Sequence, residues 1–133
     1  QFTSATCSIA QKATEAAVSL NPDSIAPMKE AFRKRRDLVL SKIKDIPGMR
    51  VNVPQAAFYV FPDVSSYFGK SKSGFTVKNA TDLCMYLLDN ANVAIVPGAA
   101  FGDDNYVRIS YAASEEKLSE ACKRMKTALA ELK

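Results

Sequence analysis

Hydrophobic residues recur at intervals of three or four along four stretches of the chain, a spacing that predicts amphipathic helices. Proline residues separate the first stretches, and Ser114 stands where the N-cap of the last helix is expected. We expect these helices from Ser8 to Leu20, from Pro22 to a stop at Pro47-Gly48, from Ala80 to Ala91, and from Ser114 along an apolar stripe that ends at Leu132.

Between the helices the hydrophobic residues alternate or form short apolar runs, which predicts strands. The polar stretch from Ser65 to Asn79 is expected to be a mobile surface loop. The element order is then ααββαββα, which predicts one compact α+β domain over residues 1–133, with a short mixed or antiparallel sheet packed by helices. The strands are expected at 49–53, 57–61, 93–96 (an apolar run compatible with burial on both faces) and 106–111.

The residue content excludes several classes of protein. Hydrophobic residues make up 47% of the chain and charged residues 24%, which is usual for a globular domain and unlike a disordered tail. The longest apolar run, 92–100, is too short to cross a membrane. Histidine is absent, so catalytic triads and zinc sites that need imidazole are excluded, and we predict no metal site.

The cysteines and the first residues bear on the origin of the chain. Cys7, Cys84 and Cys122 form no CxxC pair, and we expect reduced core thiols in a reducing, cytoplasmic compartment. The first residues lack the charged start and apolar stretch of a signal peptide, and there is no initiator methionine. We therefore expect a processed chain or a piece of a longer protein.

Arg108 is the first candidate for a binding residue. It lies in the middle of the predicted strand 106–111, on the same face as Tyr106 and Ser110. A guanidinium among apolar neighbours must be paired if it is buried, and its fork matches a carboxylate bidentately. Three interpretations are open at this point: a ligand carboxylate, an internal ion pair with Asp or Glu, or exposure at a sheet edge.

Three other stretches carry weaker signals. The loop 97–102 follows a strand, as ligand-contacting loops often do, but the pattern favours a tight turn around a buried Phe101. Thr3 and Ser4 precede the first helix, which suits an anion or ordinary capping. The predicted basic helix 29–44 carries four consecutive basic residues, 33–36, in a chain of net charge +4. The alternative function is therefore a stand-alone anion- or nucleic-acid-binding module.

Several stretches taken together resemble the C-terminal part of class I, pyridoxal-phosphate-dependent aminotransferases, in particular aspartate aminotransferases of the prokaryotic type. The likeness covers essentially the whole chain with the spacing in register. One departure is Ala56, which stands where the family usually has a glycine before the Ala-Phe-Tyr triplet. The matching stretches are 1–4 with 8–13, 33–37, 54–62 (PQAAFYVFP), 93–102 (VAIVPGAAFG) and 107–114 (VRISYAAS).

The resemblance implies the small C-terminal domain of a fold-type I pyridoxal phosphate transferase. The intact enzyme would move the amino group of aspartate or glutamate to a 2-oxo acid, as an aspartate:2-oxoglutarate transaminase does. Arg108 matches the family arginine that holds the substrate α-carboxylate. Thr3, Ser4 and Phe101 would lie in the vicinity of the active site, and the domain would help to close the cleft.

The resemblance also implies what this chain does not supply. The cofactor lysine and most other cofactor ligands would lie in a large domain that precedes it, so we expect no catalytic and no cofactor-binding residue here. The isolated fragment is expected to be inactive. Its partners would be amino-acid and 2-oxo-acid substrates, its own large domain and a second copy in a homodimer, with neither nucleic acid nor a membrane among them.

Overall fold

The computed structural model describes residues 5–133, and the chain divides into two compact units at Ala31 and Phe32. The first unit contains helix α1 (Ser8–Ser19), a 3-10 helix (Pro22–Ile25) and the start of helix α2 (Ala26–Lys44). Its apolar side chains are open to solvent, and Ile9 and Val18 are 79% and 78% exposed. The prediction of one domain over residues 1–133 stays a prediction.

The first two helices lie close to their predicted positions, with differences at their N-termini. The predicted cap Ser8 is the first helical residue, and Cys7 at the cap makes no side-chain hydrogen bond. The Asn21 side chain accepts a hydrogen bond from the Asp23 N–H and so opens a 3-10 turn, which delays the start of α2 to Ala26.

The second unit, Phe32–Lys133, contains two small antiparallel sheets and two further helices. The three-stranded sheet has the order β1–β5–β4, so β5 is its central strand, and β2 pairs with β3 in a hairpin. The α+β class is therefore confirmed. The bounds are β1 (Tyr59–Val60), β2 (Ser71–Lys72), β3 (Phe75–Thr76), α3 (Ala80–Ala91), β4 (Val96–Pro97), β5 (Val107–Ser110) and α4 (Glu115–Ala130).

Three predicted elements were wrong in detail. In 49–53 a single isolated bridge, from Arg50 to Asp63, replaces the predicted strand. The supposed loop 65–79 contains a 3-10 helix (Ser65–Tyr67) and the β2–β3 hairpin, and it buries Tyr67 and Val77. In the run 93–96 only the last residue joins a strand, and its side chain is exposed, so burial on both faces was also wrong.

One hydrophobic core holds the second unit together, and among the described residues it contains no buried polar or charged residue. Cys84 and Cys122 lie in it, and burial raises the pKa of the Cys84 thiol to about 11. Cys7 is exposed, so the prediction of a core thiol was wrong there. In the described part of the chain, no helix is long and apolar enough to cross a membrane.

Candidate functional site

Arg108 lies on the central strand of the sheet. Side chains alternate along β5, so Val107 and Ile109 enter the core while Arg108 and Ser110 belong to the opposite face. Strands flank β5 on both sides, which rules out exposure at a sheet edge as the explanation for this arginine. A strand on each side holds the backbone of β5, and the Arg108 side chain lies on the sheet face opposite the core.

The strand register places an aromatic residue opposite Arg108 on one side. β1 pairs Tyr59 with Ser110, and the same register continues beyond the strand because Asp63 bridges Tyr106. The Val107 N–H also donates to the Pro62 carbonyl at 3.1 Å. Phe61 therefore stands opposite Arg108 in a non-hydrogen-bonded pair, where side chains approach most closely.

The Arg108 guanidinium contacts rings rather than carboxylates. It lies 4.4 Å from the ring centroid of Phe101 and 5.4 Å from that of Tyr59, both within cation–π range. Among residues 5–133, no carboxylate oxygen lies within 4.0 Å of its nitrogens. The internal ion pair that the sequence left open is therefore not formed in the described part of the chain.

Further ring contacts extend the surroundings of Arg108 into what we call the aromatic face, formed by Tyr59, Phe61, Phe101 and Tyr106. The Phe61 ring meets Phe101 edge to face at 6.3 Å between centroids and stacks on Tyr106 at 5.1 Å. Phe101 thus contacts both the cation and the ring of Phe61. The result is a half-buried positive charge in a mostly apolar, aromatic setting.

The loop that carries Phe101 is held by its backbone. The Gly98 N–H donates to the Tyr106 carbonyl at 2.7 Å, and a Cβ at Gly98 would overlap the Asp103 and Tyr106 carbonyl oxygens. Phe101 ends a 3-10 helix (Gly98–Phe101) and is 47% exposed, so the predicted buried phenylalanine was wrong. The tight turn is present, and the Phe101 ring contacts Arg108 and Phe61 on the aromatic face.

The Asp63 carboxylate lies on the same sheet face as Arg108 and already has hydrogen-bond and ion-pair partners. Asp63 accepts hydrogen bonds from the Ser65 N–H and hydroxyl at 2.8 and 2.7 Å, and it pairs with Arg50. Burial raises the pKa of Asp63, but the hydrogen bonds from Ser65 and Arg50 outweigh burial and bring the pKa below its usual value. Asp63 is therefore ionised at neutral pH and already has its own partners.

The basic run on α2 is partly used within the chain. The Arg36 guanidinium donates to the Asp37 carboxylate at 2.8 Å and to the Pro54 carbonyl at 3.3 Å. The Arg35 guanidinium lies 5.3 Å from the Phe32 ring centroid. Arg35 and Arg36 thus make intramolecular contacts. The other two predicted site residues, Thr3 and Ser4, lie outside the described residues.

The sequence pattern placed Tyr106 on the same face as Arg108, but Tyr59 and Phe61 were not predicted to belong to the site. A signal was available, because period-two alternation puts Tyr59 and Phe61 on one face and Val60 on the other. What the sequence did not give was the register that sets this face beside Arg108. Within residues 5–133 the Arg108 guanidinium has no carboxylate partner, and a half-buried guanidinium in an aromatic setting is suited to binding one.

The chain is similar to known proteins in both sequence and structure. The family model described as "Aminotransferase class I and II" matches residues 1–125. The chain is 47% identical to a bifunctional aspartate aminotransferase and glutamate/aspartate-prephenate aminotransferase of Petunia hybrida, over 100% of the chain and 29% of that protein. It is 44% identical to an aspartate aminotransferase of Rhizobium meliloti, over 96% of the chain and 32% of that protein.

Solved structures give the same picture. A crystal structure of the aspartate aminotransferase from Rhizobium meliloti superposes with a TM-score of 0.89 at 42% identity, covering 100% of this chain and 34% of that one. The aspartate aminotransferase of Thermotoga maritima gives 0.76 at 30% identity, covering 97% and 30%. The chain thus spans about a third of the length of the proteins it matches, and it belongs to the class I and II aminotransferase family.

Proposed function

We propose that this chain is the C-terminal part of a pyridoxal-phosphate-dependent amino-acid transaminase, with aspartate and 2-oxoglutarate as its substrates, and that Arg108 binds the substrate α-carboxylate. The observation that supports the proposal is the burial of Arg108 together with the contacts of its guanidinium. Its guanidinium is half-buried on a central strand and, within residues 5–133, faces rings instead of a carboxylate.

A carboxylate ligand suits this guanidinium for a physical reason. A half-buried cation without a counter-ion gains from a bidentate, charge-assisted pair of hydrogen bonds, each stronger than a neutral one. Arginine stays charged at all accessible pH values, and its planar fork fixes the orientation of the bound group. A substrate held by its α-carboxylate then has its reacting carbon at a defined distance and angle, which lowers the entropic part of the barrier.

The cofactor would be bound outside the aromatic face. The side chains that contact the Arg108 guanidinium among the described residues are the rings of Tyr59 and Phe101, and this setting fits a carboxylate. We propose that the preceding large domain holds pyridoxal phosphate, which supplies the amino-group transfer chemistry. The isolated 133-residue fragment is accordingly proposed to be inactive.

Cleft closure is the second part of the proposed role. Because the substrate carboxylate would bind to this domain while its reacting atoms lie against the large domain, substrate binding would draw the two together and exclude water. The intact enzyme is proposed to be a homodimer in the cytoplasm. These statements rest on the family resemblance.

The alternative, a stand-alone anion- or nucleic-acid-binding module, would use the basic side chains of residues 29–44. Arg35 and Arg36 are drawn into intramolecular contacts, which leaves fewer charges for phosphate groups. Such a module would show an affinity for nucleic acid that falls steeply with salt. Absence of measurable binding to single- or double-stranded DNA and RNA at low salt would eliminate this alternative.

Substitution of Arg108 in the intact enzyme tests the proposed function. We expect Arg108→Gln to lower kcat/KM for both the amino acid and the 2-oxo acid by about 100-fold, from the loss of a charge-assisted pair of about 3 kcal/mol. Arg108→Lys keeps the charge without the fork and should recover only part of the loss. Arg124→Gln, on the exposed face of α4, is the matched control. An unchanged kcat/KM in Arg108→Gln would overturn the assignment.

A further inference from the structure

We propose that Phe101 and Tyr59 are positioning residues, whose rings hold the Arg108 guanidinium in place while leaving its N–H groups available to the substrate carboxylate. This inference rests on the proposed function of Arg108 and adds to it the means by which the arginine is oriented. Neither ring is proposed to take part in the chemistry.

The geometry places the two rings as supports for the cation. The Arg108 carbon Cζ lies 4.4 Å from the Phe101 centroid and 5.4 Å from the Tyr59 centroid, inside the distance at which ring faces attract a cation. Tyr59 lies on β1 and Phe101 in the turn after β4, and β1 and β4 are the strands that flank β5, so the two rings belong to segments on opposite sides of β5 in the sheet order.

Rings have an advantage over a carboxylate in this role. An internal Asp or Glu would orient the guanidinium by occupying its N–H donors, and it would neutralise the charge that the substrate needs. A ring attracts the cation through its quadrupole and accepts no conventional hydrogen bond, so the donor edge stays free. The Asp63 carboxylate, which lies on this face, accepts hydrogen bonds from Ser65 and pairs with Arg50.

The support is itself fixed, as a positioning element requires. The Phe101 ring meets Phe61 edge to face, and Phe61 stacks on Tyr106. The turn before Phe101 is fixed by Gly98, where the backbone approaches the Asp103 and Tyr106 carbonyls too closely for a side chain. Half of Phe101 remains exposed, so burial alone does not explain its position.

A stepwise decrease in the electron density of the Phe101 ring face tests this inference at nearly constant ring size. In the full-length enzyme, Phe101 is replaced by phenylalanine analogues with one, two and three ring fluorines, which weaken cation attraction stepwise at nearly constant size. The probe is succinate, whose dissociation constant is measured by calorimetry. We expect the constant to rise stepwise, by about fivefold at three fluorines, with KM for the amino acid rising in parallel and kcat changing less.

Conventional variants supply matched controls. Phe101→Tyr and Tyr59→Phe keep a ring and should bind succinate like the wild type, whereas Phe101→Leu should bind several-fold more weakly. Phe75→Leu removes a ring of similar exposure (40% against 47%) from the β2–β3 hairpin and should leave succinate binding unchanged. Thermal unfolding of each variant identifies any loss that comes from the fold.

The outcomes separate this inference from the proposed function. If Arg108→Gln abolishes succinate binding while the fluorinated series binds as tightly as the wild type, Arg108 is the clamp and the rings do not position it, and the inference is overturned. If Arg108→Gln binds succinate as tightly as the wild type, the proposed role of Arg108 is overturned, and the inference that depends on it is overturned as well. Stepwise weakening in the series together with loss in Arg108→Gln supports both.

Discussion

Ala57 adopts a left-handed backbone conformation, with φ of 68°, two residues before β1 begins. Residues with a Cβ avoid this region at a cost of about 1–2 kcal/mol, whereas glycine enters it freely. The conformation is held by a hydrogen bond, since the Ala57 carbonyl accepts from the Tyr111 hydroxyl at 3.0 Å. The chain therefore carries local strain directly before the strand that supplies Tyr59.

We expect Ala57→Gly to stabilise the chain by about 0.5–1 kcal/mol, the relief of left-handed strain less the extra unfolded-state entropy of glycine. Urea unfolding measures the difference. Ala56→Gly is the matched control, because Ala56 has no positive φ, and it should be neutral or destabilising. The account of this turn fails if Ala57→Gly is the less stable of the two variants.

Tyr67 is a buried residue whose hydroxyl donates to the Pro47 carbonyl, which joins the segment after α2 to the 3-10 helix Ser65–Tyr67. Burial raises the pKa of this phenol from 10.0 to about 12. The folded chain therefore holds the proton more tightly than the unfolded chain. Its contribution to stability is complete below pH 10 and is lost as the pH rises from 10 towards 12.

We expect the free energy of unfolding to fall between pH 10 and pH 12, with about 2 kcal/mol of the loss due to Tyr67. Tyr67→Phe removes the titrating group, so the variant should be less stable at pH 8 and show a shallower decline above pH 10. Urea unfolding across this pH range gives both slopes. Parallel slopes for the two proteins would contradict the assignment of the alkaline loss to Tyr67.

At the scale of elements, the turn between β4 and β5 depends on two glycines for different reasons. A Cβ at Gly98 would overlap backbone carbonyl oxygens, while Gly102 has φ of 89° and open space around its Cα. The first requirement is steric and the second conformational.

We expect Gly98→Ala to destabilise the chain by about 3 kcal/mol or more, because backbone must move to admit the side chain. Gly102→Ala should cost only about 1 kcal/mol, the price of left-handed backbone. Thermal unfolding compares the two, and succinate binding by the intact enzyme reports whether Phe101 has moved. Equal costs at the two positions would refute the steric explanation.

Some elements of the fold can be predicted from local sequence, and others depend on distant contacts. Helix α4 was placed correctly because the Ser114 side chain accepts from the Lys117 N–H and buried residues follow at helical spacing, features that are local in sequence. The segment 65–79 was taken for a loop because its packing depends on distant partners. Tyr67 reaches the Pro47 carbonyl, and Ser71 exchanges backbone hydrogen bonds with Lys133.

In the candidate site, the sequence predicts the key residue but not its contacts. Arg108 could be singled out because a charge in the middle of an apolar strand is visible in the sequence. The contacts with Tyr59 and Phe101 could not, because they follow from antiparallel pairing between segments far apart in the chain. Pairing register is set by the whole sheet.

At the scale of the whole molecule, the first unit exposes apolar side chains that a stable monomer does not normally leave open, including Leu20, Ile25 and Met28. Since the chain spans about a third of its relatives, we expect the isolated 133-residue chain to self-associate. Sedimentation velocity over a range of concentrations detects this. Replacing Ile9 and Val18 with Ser should reduce the association, and a wild-type chain that stays monomeric at high concentration would contradict the expectation.

The most direct test of the account crosses Arg108 with the group it is proposed to bind. In the intact enzyme, kcat/KM is measured for the amino acid and for its α-carboxamide, with the wild type and with Arg108→Gln, and the four values form a thermodynamic cycle. The account predicts that the wild type prefers the carboxylate by about 100-fold and that this preference largely disappears in Arg108→Gln. A preference of the same size in both proteins would show that Arg108 does not bind the α-carboxylate.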